Sequence, residues 1–361
     1  MLQLNSIIIT QFKNYPFSSF SFSERVIGIC GLNGRGKTNL LDAIYYSCFT
    51  KSYFSRTDIL NIRFNTDGFR LESHFSKEGA DQKLVCIHRG VGKKELTLND
   101  SPYEKMSHHI GKFPVVMIAP DDISLVTGSS EERRRFIDTV LSQVDDDYLQ
   151  QLILYNKVLQ QRNSLFKRFA EQGRTDLSLL EVLDHQLVQP GEIIYQKRKK
   201  YTASLLPLVQ QFYRQIAGSS EETIGLEYES QLNNTSFDTL LQQTRQKDLV
   251  LQRSNGGIHK DDINILLNGQ VFRNIASQGQ RKSLLFALKL AEFELLKQHK
   301  GYPPLLLLDD VFEKLDDSRM QQLLQQVCCR NEGQVFITDT HRDRLEAAFK
   351  EMEVAYQLVE L

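Results

Sequence analysis

The sequence predicts an α/β head of mixed sheets interrupted by an inserted helical domain. Three observations lead there. Short β-rich runs dominate the first hundred residues. Apolar-periodic helical stretches fill residues 128–222. Alternating strands and helices return from about residue 223. The expected division is 1–127, 128–222 and 223–361, with the first and last segments forming one discontinuous lobe.

Taken in order, "SIIIT" (6–10) and "RVIGIC" (25–30) are short and rich in β-branched residues. "FRLESHF" (69–75), "KLVCIHR" (83–89) and "KELTLND" (94–100) alternate in part and stop at Gly, Asn or Asp, which suggests an antiparallel meander. "VVMIA" (115–119) reads as a buried strand closed by Pro120. Gly128, Ser129 and Ser130, followed by Glu131 and Glu132, mark a helix start, because acids suit the positive end of a helix. Aspartates open the next helix, where Tyr148, Leu152, Tyr155, Leu159 and Phe166 share one face. If helical over 146–170, that arm is roughly 35–40 Å long, too short for a long coiled-coil spacer. "AEQGRTD" (170–176) reverses the chain. The return arm is bent or broken near Pro190 and Pro207 and capped by Gly218, completing a short helical hairpin. Asn268–Gly269 between two apolar strands is a strong hairpin signal. A helix over 281–298, the strand 305–308, another helix and the strand 334–339 follow.

The totals narrow the function classes. With 361 residues, 41% hydrophobic and 25% charged, the chain is ordinary for one large or two modest globular domains. A net charge of −1 gives no general pull toward nucleic acid or anionic membrane. Any such binding falls to local patches, of which Arg133, Arg134, Arg135 and Lys197, Arg198, Lys199, Lys200 are the candidates. No helix-turn-helix or zinc-finger pattern argues for sequence-specific reading. No apolar run reaches 18 residues and no signal-peptide pattern opens the chain, so a cytoplasmic protein without membrane contact is expected. The five cysteines form no C-x-x-C pair, and Cys328–Cys329 is too cramped for ordinary bridging. Buried thiols in a reducing compartment, with no zinc site, follow. His108–His109 reads as a surface turn and His299 as a helix-end cation.

Three motifs carry the chemistry. Gly31-x-x-x-x-Gly36-Lys37-Thr38 is a phosphate loop between a buried strand and a helix with an apolar face. Its backbone amides, from Gly31 through Asn33, Gly34, Arg35 and Gly36 to Asn39, suit phosphate oxygens at a helix N-terminus. Lys37 can reach the β- and γ-phosphates of ATP, and the Thr38 hydroxyl can ligate Mg²⁺. Leu305 to Leu308 make a strand buried on both faces. Asp309 at its end is the expected Mg²⁺-side carboxylate, and Asp310 is placed to orient or deprotonate water. The third motif is the polar knot Ser277, Gln278, Gly279, Gln280, Arg281, Lys282 opening the last long helix. It is a second anion-seeking N-terminus, intelligible if Ser277, Gly279 and Gln280 meet the γ-phosphate held by another copy in a symmetric dimer.

On these residues the chain resembles the ATP-binding-cassette superfamily. "SQGQRKS" stands at its signature loop, and "LLLLDDVFEKLD" looks like Walker B followed by the dimer-contact turn Leu315–Asp316. "VFITDT" resembles the switch strand, with Asp339 or Thr340 where the family often has His, and His341 next. The closer resemblance is to the RecF family. It rests on "LNSIIITQFKNY", "GLNGRGKTNLLDAIYY", "VVMIAPDDISLVTGSSEERRRFID", "GGIHKDDINILLNG", "ASQGQRKSLLFALKLAE" and "LLLLDDVFEKLD", in family order across nearly the whole chain. Gly257–Ile258–His259 departs from the family's Gly-Pro-His. The resemblance implies an ATP-binding-cassette-type ATPase head with a helical second domain. It also implies ATP-dependent dimerisation and slow, DNA-stimulated hydrolysis. The expected DNA is duplex or a single-strand/double-strand junction. The implied partners are RecO and RecR, with RecA loaded indirectly at gaps. Many ATPases of this type carry Glu where Asp310 stands; Asp is one methylene shorter, consistent with slow turnover. A transporter's nucleotide-binding subunit and an ATP-gated scaffold share the phosphate motifs and are the alternatives.

Overall fold

The computed structural model describes residues 1–90, 92, 94–218, 221–313 and 317–361. Its contacts divide the chain into two compact units. The first comprises Met1–Ile123, Gln211–Ser219 and Ser277–Leu361. The second comprises Ser124–Gln210 and Ser220–Ala276.

The first unit is built on a five-stranded sheet in the order Tyr356–Glu360, Val26–Cys30, Val335–Asp339, Leu305–Leu308, Val115–Ile118. Every pairing in it is parallel. Its four inner and far strands are buried at every position, as runs of apolar residues covered on both faces must be. A second, six-stranded antiparallel sheet runs Tyr15–Ser21, Leu2–Phe12, Gly68–Lys77, Ala80–Arg89, Glu95–Leu98, Ser101–Pro102. The expected meander is there. The strand Tyr15–Ser21 was not anticipated, because an edge strand with an exposed outer face carries little apolar signal. One core joins the two sheets, with Leu4, Ile7, Phe12, Phe69, Phe75, Leu305 and Phe336 in the same cluster. The helix Lys37–Phe49 is buried at ten of its 13 residues, so the segment after the phosphate loop is held on most sides.

The second unit joins helices Ser130–Val144, Asp146–Gln172 and Phe237–Leu251, and most of Leu177–Ala217, to a three-stranded antiparallel sheet. That sheet runs Gln270–Val271, Asp262–Leu267, Ile224–Glu229. This corrects the sequence division, which gave 223–276 to the C-terminal ATPase segment. Strand Ile224–Glu229 pairs along its whole length with Asp262–Leu267, and helix Ser130–Val144 packs on the latter. Asn268 and Gly269 turn the hairpin with φ of 51° and 78°, the positive pair that such a turn demands. Pro190 and Pro207 lie inside one continuous helix, Leu177–Ala217, and do not break it. Its buried side chains Leu180, Leu187, Ile194, Tyr201, Leu205, Val209 and Tyr213 run on across both prolines. Such continuous burial offsets a cost of roughly 3 kcal/mol per interior proline.

The expected face of Asp146–Gln172 needs revision. Tyr148, Tyr155 and Phe166 are buried, but Leu152 and Leu159 are only half-buried. The seam instead includes Val158, Leu165, Phe169 and a charge, Arg162. Arg162 is fully buried and donates to Asp184 Oδ1 (2.6 Å), Asp248 Oδ2 (2.7 Å) and Ser254 Oγ (2.8 Å). His109 is likewise no surface residue. It is fully buried, with Nε2 2.7 Å from Ser47 O and Nδ1 3.1 Å from the Tyr103 hydroxyl. All five cysteines are free, and Cys329, unlike the other four, is exposed. Among the described residues no helix is long and apolar enough to cross a membrane.

Candidate nucleotide-binding site

The phosphate loop leaves the buried strand Val26–Cys30 and enters the helix Lys37–Phe49. Asn33, Gly34 and Arg35 form its exposed tip. Gly34 and Gly36 have φ of 81° and 114°, left-handed values that L side chains rarely adopt. At Gly36 a Cβ would also lie 2.7 Å from Asn14 Nδ2 and 2.9 Å from the Tyr15 hydroxyl. These neighbours clasp the loop from outside. Tyr15 donates to Gly36 O (3.0 Å), Asn14 Nδ2 donates to Arg35 O (3.1 Å), and Asn39 Nδ2 donates to Asn14 Oδ1 (2.7 Å). Lys37 is buried and folds back to donate to Gly31 O at 2.8 Å.

Asp309 follows the strand Leu305–Leu308 and meets the loop. The Thr38 hydroxyl lies 3.0 and 2.9 Å from its two carboxylate oxygens. The Thr338 hydroxyl donates to Oδ1 at 2.9 Å. Burial pushes the Asp309 carboxyl up to about 6, opposed by the hydrogen bonds from Thr38 and Thr338 and by Lys37, and reinforced by Asp310. A buried carboxylate held against its protonation by a hydroxyl is suited to a hard cation. Among the described residues no cluster of three His, Cys, Asp or Glu could hold a metal alone. The donor set therefore fits a Mg²⁺ that draws its other ligands from phosphate and water, which is how this small cation is usually held. Asp310 is half-buried, with φ of 43°. Its N–H donates to Thr338 Oγ1 at 2.8 Å.

The polar knot opens the helix Gln278–Lys300, with Ser277 as its N-cap. A capping box closes it: Gln280 N donates to Ser277 Oγ (3.2 Å), and Ser277 N donates to Gln280 Oε1 (2.7 Å). The cap uses an oxygen lone pair, so the Ser277 hydroxyl proton remains able to donate. Gly279 lies against a guanidinium, since a Cβ there would come 2.0 Å from Arg319 Nη1. At the switch strand, Asp339 is committed. Arg344 grips both its oxygens at 2.7 Å, and His341 N donates to Oδ1 at 2.7 Å. Thr340 and exposed His341 follow it. The turn Leu315–Asp316 lies outside the described residues.

The structure brings Lys37 and Thr38 to Asp309, with Asp310 next in the chain, and places Ser277, Gly279 and Gln280 at a helix start. Sequence reasoning missed Asn14, Tyr15, Thr338 and Arg344. For the first two, the residues directly after an apolar strand and before a phosphate loop were the available signal. The basic clusters come out differently from expectation. Arg133 is buried and bonded to Asp262 and Gly128 O, and Arg134 donates to Asp261 O. Arg198 is buried against Asp138, and Lys197 pairs with Asp145 and Asp147. These side chains hold the second unit together. Only Arg135, Lys199 and Lys200 of the two clusters are exposed, and Arg135 sits between Glu131 and Glu132.

The chain is similar to known proteins over nearly its whole length. A family model described as an AAA domain matches residues 6–358. The "DNA replication and repair protein RecF" of Cytophaga hutchinsonii is 42% identical over 349 residues, covering 97% of this chain and 92% of that protein. Its counterpart in Flavobacterium johnsoniae is 40% identical over 360 residues and the full length of both. A solved structure described as the recombination mediator protein RecF-ATPrS in the RecFOR pathway superposes with a TM-score of 0.89 at 28% identity, covering 100% of this chain and 96% of that one. An Smc head domain from Pyrococcus furiosus, at 16% identity and a TM-score of 0.56 over 96% of this chain and 92% of that one, shares the fold.

Proposed function

The chain belongs to the RecF family of ATP-binding-cassette-type ATPases, and on that premise we propose that it is an ATP-switched DNA-repair and recombination mediator of the cytoplasm. Two copies close on ATP and bind duplex or gapped DNA at single-strand/double-strand junctions without sequence preference. They help RecO and RecR load RecA there, and slow, DNA-stimulated hydrolysis resets the pair. In this reading Lys37 leaves Gly31 O for the β- and γ-phosphates, and the amides from Gly31 to Asn39 cradle them. Thr38 and Asp309 hold Mg²⁺, which neutralises phosphate charge when bound. Asp310 orients water and takes its proton. Ser277, Gly279 and Gln280 donate to the γ-phosphate of the opposite copy.

The observation that carries this reading is the Thr38–Asp309 pair, because it joins the phosphate loop to the aspartate strand in one chemical site. Relatives named as RecF and the structure named for the RecFOR pathway support the DNA-repair role. The test is sedimentation with ATP, ADP or no nucleotide, each with and without gapped DNA, using Lys37→Ala as the control. Dimers that form with ATP alone and bind gapped DNA, and that Lys37→Ala fails to form, are expected. A wild-type monomer at saturating ATP would refute the switch. Dimers that form on ATP but never turn it over would mark an ATP-gated scaffold.

A further inference from the structure

We propose, resting on the ATPase reading above, that Thr338 is a positioning residue of the site. Its single hydroxyl aims the Asp309 carboxylate at Thr38 and at the same time holds Asp310 in the left-handed conformation that ends the strand.

Thr338 is fully buried on the central strand Val335–Asp339. On one side that strand pairs with the phosphate-loop strand, Thr338 opposite Ile29. On the other it pairs with the aspartate strand, Ile337 opposite Leu308. One step further along that register, Thr338 comes beside Asp309. A threonine hydroxyl has one proton and two lone pairs. The proton goes to Asp309 Oδ1 (2.9 Å), and a lone pair accepts the Asp310 N–H (2.8 Å). The two bonds constrain each other. Because Asp309 and Asp310 are neighbours, one side chain sets both the direction of the first carboxylate and the backbone of the second.

The rest of the strand indicates why a hydroxyl stands here. Val335, Phe336 and Ile337 are fully buried and apolar. Valine would fill the same volume as threonine without a polar group to desolvate, so packing alone gives the hydroxyl no purpose. At φ of 43°, Asp310 has a left-handed backbone, which aspartate tolerates better than most non-glycine residues and which the bond from its N–H to Thr338 fixes in place. The following residue fixes the strand end itself. Asp339 is gripped by Arg344, whose guanidinium lies 5.3 Å over the ring of Phe312, two residues beyond Asp310.

The experiment compares Thr338→Val and Thr338→Ala, which lack the hydroxyl, with Thr338→Ser, which keeps it. ATP affinity is measured by calorimetry in EDTA and again in Mg²⁺, and turnover by phosphate release. Circular dichroism confirms folding, and if the valine variant does not fold the alanine variant decides. In EDTA all three should bind ATP within about twofold of wild type, because the phosphate cradle is untouched. The affinity gained on adding Mg²⁺, and the turnover, should fall about 10–100-fold in the valine and alanine variants, the usual range for losing a partner behind a metal ligand. Serine should restore both to within about threefold. Wild-type Mg²⁺ response and turnover without the hydroxyl, or a serine variant as defective as valine, would overturn the proposal. Failure of the ATPase reading itself would appear separately, as wild-type protein that neither binds nor hydrolyses ATP.

Discussion

Ser277→Asp separates the two roles that Ser277 is expected to combine. In the folded chain it caps the helix Gln278–Lys300, its oxygen accepting from Gln280 N at 3.2 Å. Aspartate is as good an N-cap as serine, and a negative charge at a helix start adds roughly 0.3–1 kcal/mol of stability. Folding stability should therefore change by no more than about 1 kcal/mol, and the melting temperature by about 3 °C or less. The dimer should fare differently. Each new carboxylate would face a γ-phosphate held by the other copy. One unit-charge pair at about 4 Å and an effective dielectric of about 20 repels by about 4 kcal/mol, and the dimer contains two such sites. Even if solvent screening halves the sum, about 4 kcal/mol remains, roughly a thousandfold in the dimer constant. Light scattering at saturating ATP should show monomers, while calorimetry shows unchanged ATP affinity per chain. Dimers of wild-type strength would refute the trans-phosphate role. A melting temperature lowered by 10 °C or more would instead refute the capping argument.

Asp310→Asn should fold, because asparagine tolerates the left-handed backbone, and it should still bind ATP and dimerise. Its turnover by phosphate release should fall about 10²–10⁴-fold, and wild-type turnover would exclude Asp310 as the proton acceptor. Acid should destabilise both units through two buried histidines, His109 and His259, whose pKa values burial lowers to about 4. Unfolded histidine binds its proton near pH 6.5, so between about 6.5 and 4 the unfolded chain holds more protons and stability falls with pH. The contribution of each histidine should be fully present above about 6.5 and drop by up to roughly 3 kcal/mol across that window. Asp309 and Glu292, whose pKa values burial raises to about 6 and about 7, work in the opposite direction, so the histidines are isolated by substitution: urea titrations in which His109→Gln and His259→Gln lose as much stability between pH 7 and pH 4.5 as the wild type would contradict this.

Some of the site could be read from the chain because single residues carry its constraints locally. Gly34 and Gly36 are required by their own backbone angles, and the strand and helix beside them are written in apolar residues. The same holds for Ser277 and Gln280, three residues apart in a capping box, and for the Asn268–Gly269 turn. What escaped depends on partners distant in sequence. Arg162 looks like a solvated residue of a polar helix until Asp184 and Asp248 surround it. Arg133 and Arg198 look like a phosphate-seeking surface until Asp262 and Asp138 neutralise them from 129 and 60 residues away. Thr338 is one more β-branched residue in a buried strand, and only the neighbouring strand reveals its hydroxyl's use. The domain boundary failed for a similar reason. The strands after residue 223 have the texture of the ATPase segment and pair with each other, but the distant helix Ser130–Val144 packs on them.

The clasp of Asn14 and Tyr15 on the phosphate loop has a mechanical consequence. The carbonyls of Arg35 and Gly36 are moored to the tight bend between the first two strands of a sheet that contributes no phosphate-loop or metal-side residue of its own. The curl of the loop is thus set partly by a neighbouring scaffold. A residue spliced into that bend would slacken the mooring and loosen the grip on nucleotide, although every atom meant to touch it would be unchanged.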